Sequence, residues 1–333
     1  MDQTVRGDGS APACFICGGQ QFERLLSVRI PRDPDREHWI ERCQSCDAVR
    51  SRPLLSDEEL GALYTTQYYG PPKRRSVTLI EKLRVMAMRN RARMLTRIAR
   101  AHLPASSGRP RVLDIGCGRG NLLVGLNQEG WDCWGLERPE FVDPSATAYK
   151  LLLSPQEVEA LEDGSFDLVV MWHSLEHMSD PAATVALATR LLKPGGLLTI
   201  AVPNFDSTQR RWFGRHWFAM SVPVHRQHLS RRPLERLLTP HYDVLRFSTM
   251  ALEQGTFIFA HSVVNALTDS HEPNPLYERL SLRQPGSAGM LSLVLQGVAL
   301  LAALPVGFVE SLVSGWLDRG TVLTLVAQKR RES

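Results

Sequence analysis

The amino-acid sequence predicts an α/β fold, with a doubly wound, mostly parallel sheet, a small cysteine-rich module before it and a helical insertion before its last strand. Three observations predict this arrangement. Apolar strand-like runs alternate with helical stretches after Arg111, two C-x-x-C pairs lie near the N-terminus, and a long apolar segment interrupts the alternation before the final run. Strands that are separated by crossover helices form parallel sheets covered on both faces.

The alternation defines the individual elements and four segments. Strand-like runs occupy 111–116, 133–137, 166–172, 196–203, 244–250 and 321–328, and helical stretches occupy 120–129, 181–192 and 233–238. The last two runs lack a short crossover helix between them, which predicts an antiparallel pair at the sheet edge. The segments are a cysteine module (11–52), linking helices (53–105), an α/β domain (106–255 with 320–330) and an apolar helical insertion (256–319).

Composition restricts the class of protein. The chain has 333 residues, 43% hydrophobic and 22% charged, which suits two or so folded domains and argues against disorder. Its first ten residues are polar and lack the apolar core of a secretory signal, which predicts a cytoplasmic protein with reduced thiols.

The four N-terminal cysteines have the spacing of a metal site. Cys14 and Cys17 form one C-x-x-C pair, and Cys43 and Cys46 form the other. Four thiolates bind Zn²⁺ tetrahedrally and leave no open position, so the predicted role of the ion is structural. A module of about 40 residues buries little core, so metal binding is expected to supply much of its folding free energy. The other two cysteines, Cys117 and Cys133, are predicted to be core thiols.

A glycine turn follows the first strand of the α/β region. Gly116, Gly118 and Gly120 permit positive φ and close approach of a ligand to the backbone. The dinucleotide fingerprint is G-x-G-x-x-G, whereas this turn is G-x-G-x-G, and Asp114 would place negative charge beside a pyrophosphate. Asp114 instead suits an ammonium group, and Glu137, after the second strand, can accept both ribose hydroxyls. A nucleoside with a cationic tail, S-adenosylmethionine, meets both requirements.

These residues lie within a longer series of motifs. VLDIGCGRG (112–120), Glu137, FDLVVMWHSLEHMSDP (166–181) and LLKPGGLLTIAVPN (191–204) resemble the successive motifs of class I S-adenosylmethionine-dependent methyltransferases, over about residues 110–250. The resemblance implies a seven-stranded, Rossmann-like sheet, a glycine turn that cradles the cofactor and Glu137 on its ribose. It also implies an acidic residue after the third strand that meets the adenine; here LLLSPQEVEAL offers Gln156 or Glu157.

The N-terminal module carries a second resemblance. The cysteine ribbon followed by RPLLSDEELGALYTTQYY (52–69) resembles the N-terminal module of a bacterial subgroup of these methyltransferases, some of which act on sugars. Within this segment, Ser56 and Glu59 have the spacing of a helix capping box. In the subgroup, aromatic residues after the ribbon reach the acceptor pocket, which implies that Tyr68 or Tyr69 does so here.

An oxygen or carbon acceptor also needs a proton acceptor, and histidine suits that role near neutral pH. His173 and His177 follow the run 166–172, which is the fourth strand of the implied sheet; His173 is expected beside the cofactor and His177 in a structural role. His225 and His228 follow the run 196–203, the fifth strand of the implied sheet, in a stretch that borders the acceptor in the related enzymes. The resemblance therefore favours His225, then His228, as the catalytic base.

Three segments suggest contacts beyond the cofactor. Residues 73–100 contain ten Lys/Arg and one Glu, and the helix predicted over 79–103 either lies on anionic lipid or packs against the catalytic domain with a solvated basic face. The segment RRWFGRHWF (210–218) suits nucleobase stacking, a phosphate clamp or, by its position, a lid with core tryptophans. If 244–250 and 321–328 pair, the insertion between them starts and ends on one side, so it is an interfacial hairpin or a cap over an apolar substrate.

Together these features predict a methyltransferase with structural Zn²⁺ that acts on a small molecule: a sugar, a glycan or a lipid-linked intermediate, by O- or C-methylation. The basic helix and the apolar insertion also predict that the protein contacts an anionic membrane peripherally, at the inner face of that membrane. RNA methylation and a non-catalytic adaptor are the alternatives. A nucleic-acid substrate is not expected, because HSLEH stands where enzymes that methylate base amino groups carry N/D-P-P-Y/F.

Overall fold

The fold is given by a computed structural model, which describes residues 12–30, 33–56, 58–60, 79–104, 108–139, 142, 148–270, 274–280 and 289–331. Its strands are β1 (Phe22–Val28), β2 (His38–Cys43), β3 (Val49–Arg52), β4 (Arg111–Ile115), β5 (Asp132–Leu136), β6 (Lys150–Leu152), β7 (Phe166–Trp172), β8 (Leu192–Pro203), β9 (Gln227–His228), β10 (Tyr242–Ser248) and β11 (Val322–Lys329). Its α-helices are α1 (Leu79–His102), α2 (Asn121–Gln128), α3 (Pro155–Glu159), α4 (Pro181–Leu191), α5 (Thr208–Phe213), α6 (Arg231–Leu238), α7 (Leu252–Thr268), α8 (Pro275–Leu280) and α9 (Met290–Trp316).

The main sheet has seven strands in the order β10-β11-β8-β7-β4-β5-β6. The strands from β8 to β6 pair in parallel, whereas β11 pairs antiparallel with both β8 and β10. Successive side chains of a strand point to opposite faces, so Leu113 packs in one core cluster and Val112 in another. Helices cover both faces, which explains the continuous apolar runs. The predicted doubly wound fold and its antiparallel edge pair are confirmed.

The cysteine module forms a second sheet that the sequence did not indicate. Its order is β1-β2-β3-β9, and β9 comes from the loop that follows β8 in the α/β region. Val49 pairs with His228 and Arg50 with Gln227. The Ser51 N–H also donates to the Arg226 carbonyl at 3.0 Å. The module therefore holds the segment that carries His225 and His228.

The insertion is a helical hairpin whose two long helices are α7 and α9. Gly307 of α9 lies against Phe259 of α7, and a Cβ on Gly307 would come within 2.9 Å of that side chain. Helix α9 continues through Pro305 for 27 residues. It is the one helix in the described part of the chain that is long and apolar enough to cross a membrane, and only 22% of its most apolar window is buried. Since β10 and β11 pair, the hairpin leaves and rejoins the same sheet.

The predictions for the linking helices (53–105) are confirmed where the structure describes them, whereas the prediction for the aromatic segment (210–218) is confirmed only in part. α1 matches the predicted helix, and the Ser56–Glu59 capping box is present. Residues 61–78, which include Tyr68 and Tyr69, lie outside the described part of the chain. Of the two tryptophans expected in the core, Trp217 is 1% exposed but Trp212 is 64% exposed, so the expectation is wrong for Trp212. The four-segment division of the chain stays a prediction.

Candidate functional site

The glycine turn between β4 and α2 is left-handed at all three glycines. The φ angles are +77° at Gly116, +53° at Gly118 and +67° at Gly120. A Cβ on Gly116 would lie 2.4 Å from the Cβ of Ser174, and one on Gly120 would lie 2.2 Å from the ring of Tyr149. A Cβ on Gly118 would have no described atom within 4 Å. Two glycines are therefore required by packing, and the third leaves open space above the backbone.

Asp114 is a buried acid directly beneath this turn. It is 2% exposed, and its Oδ1 has no hydrogen-bond partner among the described residues. Burial, together with the nearby charge of Glu137, raises the pKa of Asp114 to about 8. A buried carboxylate oxygen without a donor is a costly arrangement unless a ligand supplies one. The site thus fits a ligand that brings a cation to Asp114.

Glu137, immediately after β5, is bound to the backbone of the turn. Its Oε2 accepts the Gly118 N–H at 2.8 Å, and its Oε1 accepts the Arg138 N–H at 2.9 Å. Each carboxylate oxygen has a second lone pair. A ribose could therefore donate its hydroxyls to Glu137 without displacing either bond, and the expected ribose contact stays a prediction.

The pKa of Asp114 predicts pH-dependent cofactor binding. A methionyl ammonium binds the carboxylate form, so each binding event releases a proton when the pH is below about 8. The affinity for S-adenosylhomocysteine should consequently rise by up to about tenfold per pH unit between pH 6 and 8 and then level off. Calorimetry in buffers of different ionisation enthalpy measures both the affinity and the proton release. Asp114→Asn should bind more weakly and lose this dependence; an unchanged slope in that variant would contradict the assignment.

A polar cluster follows β7 on the other side of the turn. His173 has a φ of +53°, its Nδ1 lies 3.2 Å from Glu176 Oε1, and its Nε2 lies 2.7 Å from Gln254 Nε2. Although burial raises the pKa of Glu176, the hydrogen bond from His173 and the nearby His177 lower it to about 2. Ionised Glu176 accepts from His173 Nδ1–H, which leaves His173 Nε2 to accept from Gln254.

His225 joins this cluster, whereas His228 does not. The His225 ring lies 4.7 Å from the His177 ring, and burial lowers the pKa of His225 to about 3. The Ser51 hydroxyl donates its proton to the His225 carbonyl at 2.6 Å. The same hydroxyl oxygen, Ser51 Oγ, therefore accepts a hydrogen bond from His228 Nε2–H at 2.9 Å. Burial also lowers the pKa of His228 to about 3. His228 is thus tied to the N-terminal sheet.

Sequence reasoning missed several residues of the site. Tyr149 and Ser174 pack on the glycines, and Gln254 reaches His173 from α7. The spacing of H-S-L-E-H could have predicted the contact between Glu176 and His173. Residues three or four apart on a helical turn are neighbours, and Glu176 lies three residues after His173. The proposed adenine contact stays a prediction; Glu157 Oε2 accepts the Ser154 N–H at 3.0 Å, in the capping box of α3.

The four N-terminal cysteines form one compact cluster. Their Sγ atoms all lie within 4.8 Å of one another, with Cys14–Cys46 and Cys17–Cys43 at 3.6 Å. Tetrahedral Zn²⁺ with bonds of ~2.3 Å would separate the sulfurs by about 3.8 Å. The donor set and its spacing therefore fit a structural zinc ion.

The two C-x-x-C turns that present these thiols share one backbone geometry. The residues after each pair, Gly18 (φ +72°) and Asp47 (φ +61°), are left-handed and donate to the carbonyls of Cys14 and Cys43. Each first cysteine also donates its N–H to the carbonyl five residues ahead. The thiols of each pair consequently point the same way, as a shared metal requires.

Comparisons with known proteins agree with this geometry. A family model described as a methyltransferase domain matches residues 81–240. The ubiquinone biosynthesis O-methyltransferase of Methylococcus capsulatus is 36% identical over 103 residues, which span 28% of this chain and 44% of that enzyme. The enzyme of the same name from Aromatoleum aromaticum is 35% identical over 120 residues, 33% of this chain and 48% of that one. The chain thus spans less than half the length of these curated relatives.

Among solved structures, the 1,6-didemethyltoxoflavin-N1-methyltransferase of Burkholderia thailandensis is 15% identical, with a TM-score of 0.44 and coverage of 86% of this chain and 97% of that one. The motif series, the seven-stranded sheet and the matching family model agree on one family. Residues 81–240 of this chain belong to the class I S-adenosylmethionine-dependent methyltransferases.

Proposed function

We propose that this protein transfers the methyl group of S-adenosylmethionine to a hydroxyl oxygen of a small, lipid-linked acceptor. The observation that carries the proposal is the buried Asp114 carboxyl, whose Oδ1 has no hydrogen-bond partner among the described residues, beneath an open glycine turn whose Gly118 N–H is bound by Glu137. A methyl sulfonium supplies the electrophile, so the protein has to hold it and align the acceptor.

Each part of this site has one task in the proposed reaction. Asp114 pairs with the methionyl ammonium, the backbone at Gly118 lies along the cofactor, and Glu137 binds its ribose. Ser174 packs on Gly116 and donates to the Ile115 carbonyl at 2.6 Å, so the segment after β7 is fixed to the turn. The acceptor would then lie next to that segment, where His173, Glu176 and His177 are found.

The acceptor hydroxyl is placed against His177 and His225. Each ring has its Nδ1 near a carbonyl oxygen, Val224 O at 3.1 Å and Ala219 O at 3.0 Å, so both Nε2 atoms carry a lone pair. These lone pairs can accept the hydroxyl proton as a hydrogen bond. Hydroxyl methylation also agrees with the names of the relatives, which are O-methyltransferases. Tyr69 and His228 remain weaker proposals for the acceptor pocket.

The hairpin supports a lipid-linked acceptor. The exposed large apolar residues on α9 include Met290, Leu291, Val294, Leu295, Val298, Leu301, Val306, Phe308, Val309, Leu312, Val313 and Trp316. Trp316 is 79% exposed and Leu291 is 73% exposed, while the helix has no Lys or Arg. An apolar face of this size marks a membrane or protein contact. Trp212 contacts Phe259 of α7, and Arg215 pairs with Asp269 at the end of that helix, so an exposed aromatic side chain and a cation adjoin the hairpin, as at an anionic lipid interface. We therefore propose a peripheral position at the inner face of the membrane.

Charge on this face should release the protein from lipid. The double variant Leu295→Glu/Val298→Glu replaces two exposed residues, so its stability should change little, but its partition onto vesicles with phosphatidylglycerol should fall at least about tenfold. Vesicle flotation measures the partition. Transfer of labelled methyl groups into a lipid extract should fall with it, while affinity for S-adenosylhomocysteine stays unchanged.

Val244→Glu, at an exposed apolar position on β10, is the matched control and should float like the wild type. Label that enters soluble nucleotide sugars rather than the lipid fraction would contradict the lipid-linked acceptor. A dimer that the double variant dissociates, with no wild-type flotation, would show that the apolar face binds a second copy instead.

A further inference from the structure

A second group of metal-ligating side chains lies outside the cysteine cluster. Glu176, His177 and His225 each offer one ligand atom, and these atoms all lie within 4.8 Å of one another. Glu176 and His177 come from the short helical turn Leu175–His177 after β7, and His225 comes from the loop before β9. Three ligands from two separate segments thus converge on one point.

The imidazoles are oriented as metal ligands are. His177 Nδ1–H donates to the Val224 carbonyl and His225 Nδ1–H to the Ala219 carbonyl, which fixes both tautomers and leaves both Nε2 lone pairs available. Metal-bound histidines almost always donate their other N–H to a carbonyl or carboxylate in this way. Two neighbouring residues with the same tautomer and the same kind of anchor indicate a shared ligand.

The Glu176 carboxylate is also oriented as a metal ligand. His173 holds Glu176 Oε1, while Oε2 is buried and has no hydrogen-bond partner in the described part of the chain. Glu176 itself is 2% exposed. A carboxylate oxygen withdrawn from water needs a donor or a cation, and the lone pairs of His177 and His225 supply no donor. A cation would give Glu176 Oε2 and the Nε2 lone pairs of both histidines a common partner.

We propose that Glu176, His177 and His225 bind one divalent first-row transition-metal ion and that this ion holds the acceptor oxygen during methyl transfer. Two imidazoles and one carboxylate suit Zn²⁺, Fe²⁺ or Mn²⁺ rather than the all-oxygen sets of Mg²⁺ and Ca²⁺. Three protein ligands leave open positions, so the acceptor oxygen would bind the ion itself and would not donate a hydrogen bond to the Nε2 atoms of His177 and His225. The role in transfer rests on the proposed function; the metal site itself does not.

The position of this site gives the ion a chemical task. Ser174, two residues before Glu176, packs on Gly116 of the cofactor turn. A hydroxyl bound to the ion loses its proton to solvent more readily, because a divalent cation lowers the pKa of an oxygen ligand. The oxygen then forms a bond to the methyl carbon, the carbon–sulfur bond breaks with its electron pair on sulfur, and the products are a methyl ether, S-adenosylhomocysteine and one proton.

Co²⁺ titration tests the site in the full-length protein, with zinc kept in the cysteine cluster and any metal in the histidine cluster first removed by a mild chelator and checked by elemental analysis. The wild type should bind one Co²⁺ per chain in calorimetry, with visible absorption of a nitrogen and oxygen site rather than a thiolate site. His225→Gln and Glu176→Gln should each weaken Co²⁺ binding at least about 100-fold. Both should keep wild-type affinity for S-adenosylhomocysteine, which also reports that they fold. His241→Gln, an exposed histidine, is the control and should bind Co²⁺ normally.

The outcomes separate this inference from the proposed function. No Co²⁺ bound by a wild type that binds S-adenosylhomocysteine, or equal binding by both Gln variants, would overturn the metal site. Methyl transfer that survives complete removal of metal from the histidine cluster would overturn its role in catalysis while upholding the methyltransferase. A bound Co²⁺ without transfer to any hydroxyl acceptor would support the site and count against the proposed acceptor chemistry.

Discussion

Replacement of Gly118 by asparagine is expected to lower the affinity for S-adenosylhomocysteine at least about 100-fold, equivalent to about 2.7 kcal/mol. Asparagine tolerates left-handed backbone better than other side chains do, and no described atom lies within 4 Å of a Cβ at this position, so the fold should survive. The side chain would instead occupy the space above the turn, where the cofactor is proposed to lie. Calorimetric titration of the purified variant measures the loss.

Gly130→Asn is the matched control for this experiment. Gly130 is also left-handed, with a φ of +94°, and a Cβ there would have no described atom within 4 Å. It lies beyond the C-terminal end of α2, whereas Gly118 precedes its first residue. Both variants place asparagine at a positive φ, so similar affinities for S-adenosylhomocysteine would show that the space above Gly118 holds no ligand.

Replacement of Cys43 by serine is expected to remove the bound zinc and nearly all methyl transfer. Structural Zn²⁺ supplies about 10–16 kcal/mol to small zinc modules, so loss of one thiolate should unfold the N-terminal sheet. Ser51 would then no longer hold the His225 carbonyl or the Arg226 carbonyl. The wild type should contain one tightly held Zn²⁺ by elemental analysis, beyond any ion in the histidine cluster.

Cofactor affinity distinguishes this effect from general unfolding. The glycine turn belongs to the other sheet, so Cys43→Ser should bind S-adenosylhomocysteine within about threefold of the wild type, a difference of less than about 1 kcal/mol. Cys133→Ser, at a buried thiol outside the cluster, should keep the zinc. A folded wild type without zinc, or a Cys43→Ser protein with full transfer activity, would contradict the assignment.

The sequence predicted those features that depend on neighbouring residues. The C-x-x-C turns, the glycine turn and the Ser56–Glu59 capping box each arise within a few residues, and the structure contains all three. The parallel sheet and its antiparallel edge pair followed from the alternation of runs, and the number of strands followed from the methyltransferase resemblance. The carboxyl end of β4 therefore carries the predicted turn, with Asp114 beneath it.

Contacts between distant segments were less predictable. A two-residue strand such as β9 has no pattern of its own, and its pairing with β3 depends on how the module packs on the domain. The cluster of Glu176, His177 and His225 needs the loop before β9 to fold back over the end of β7, and nothing local to either segment specifies that approach. For α9 the sequence left two interpretations open, an interfacial hairpin and a cap over an apolar substrate, since a periodic apolar helix looks the same whether buried or exposed.

Isothermal titration of the wild-type protein with S-adenosylhomocysteine measures whether the glycine turn, Asp114 and Glu137 bind the cofactor. We expect saturable binding of one molecule per chain, accompanied by release of a proton below pH 8 as Asp114 ionises. The absence of saturable heat from a folded, zinc-loaded protein would show that these residues hold no cofactor, and the proposed methyl transfer would then have no donor.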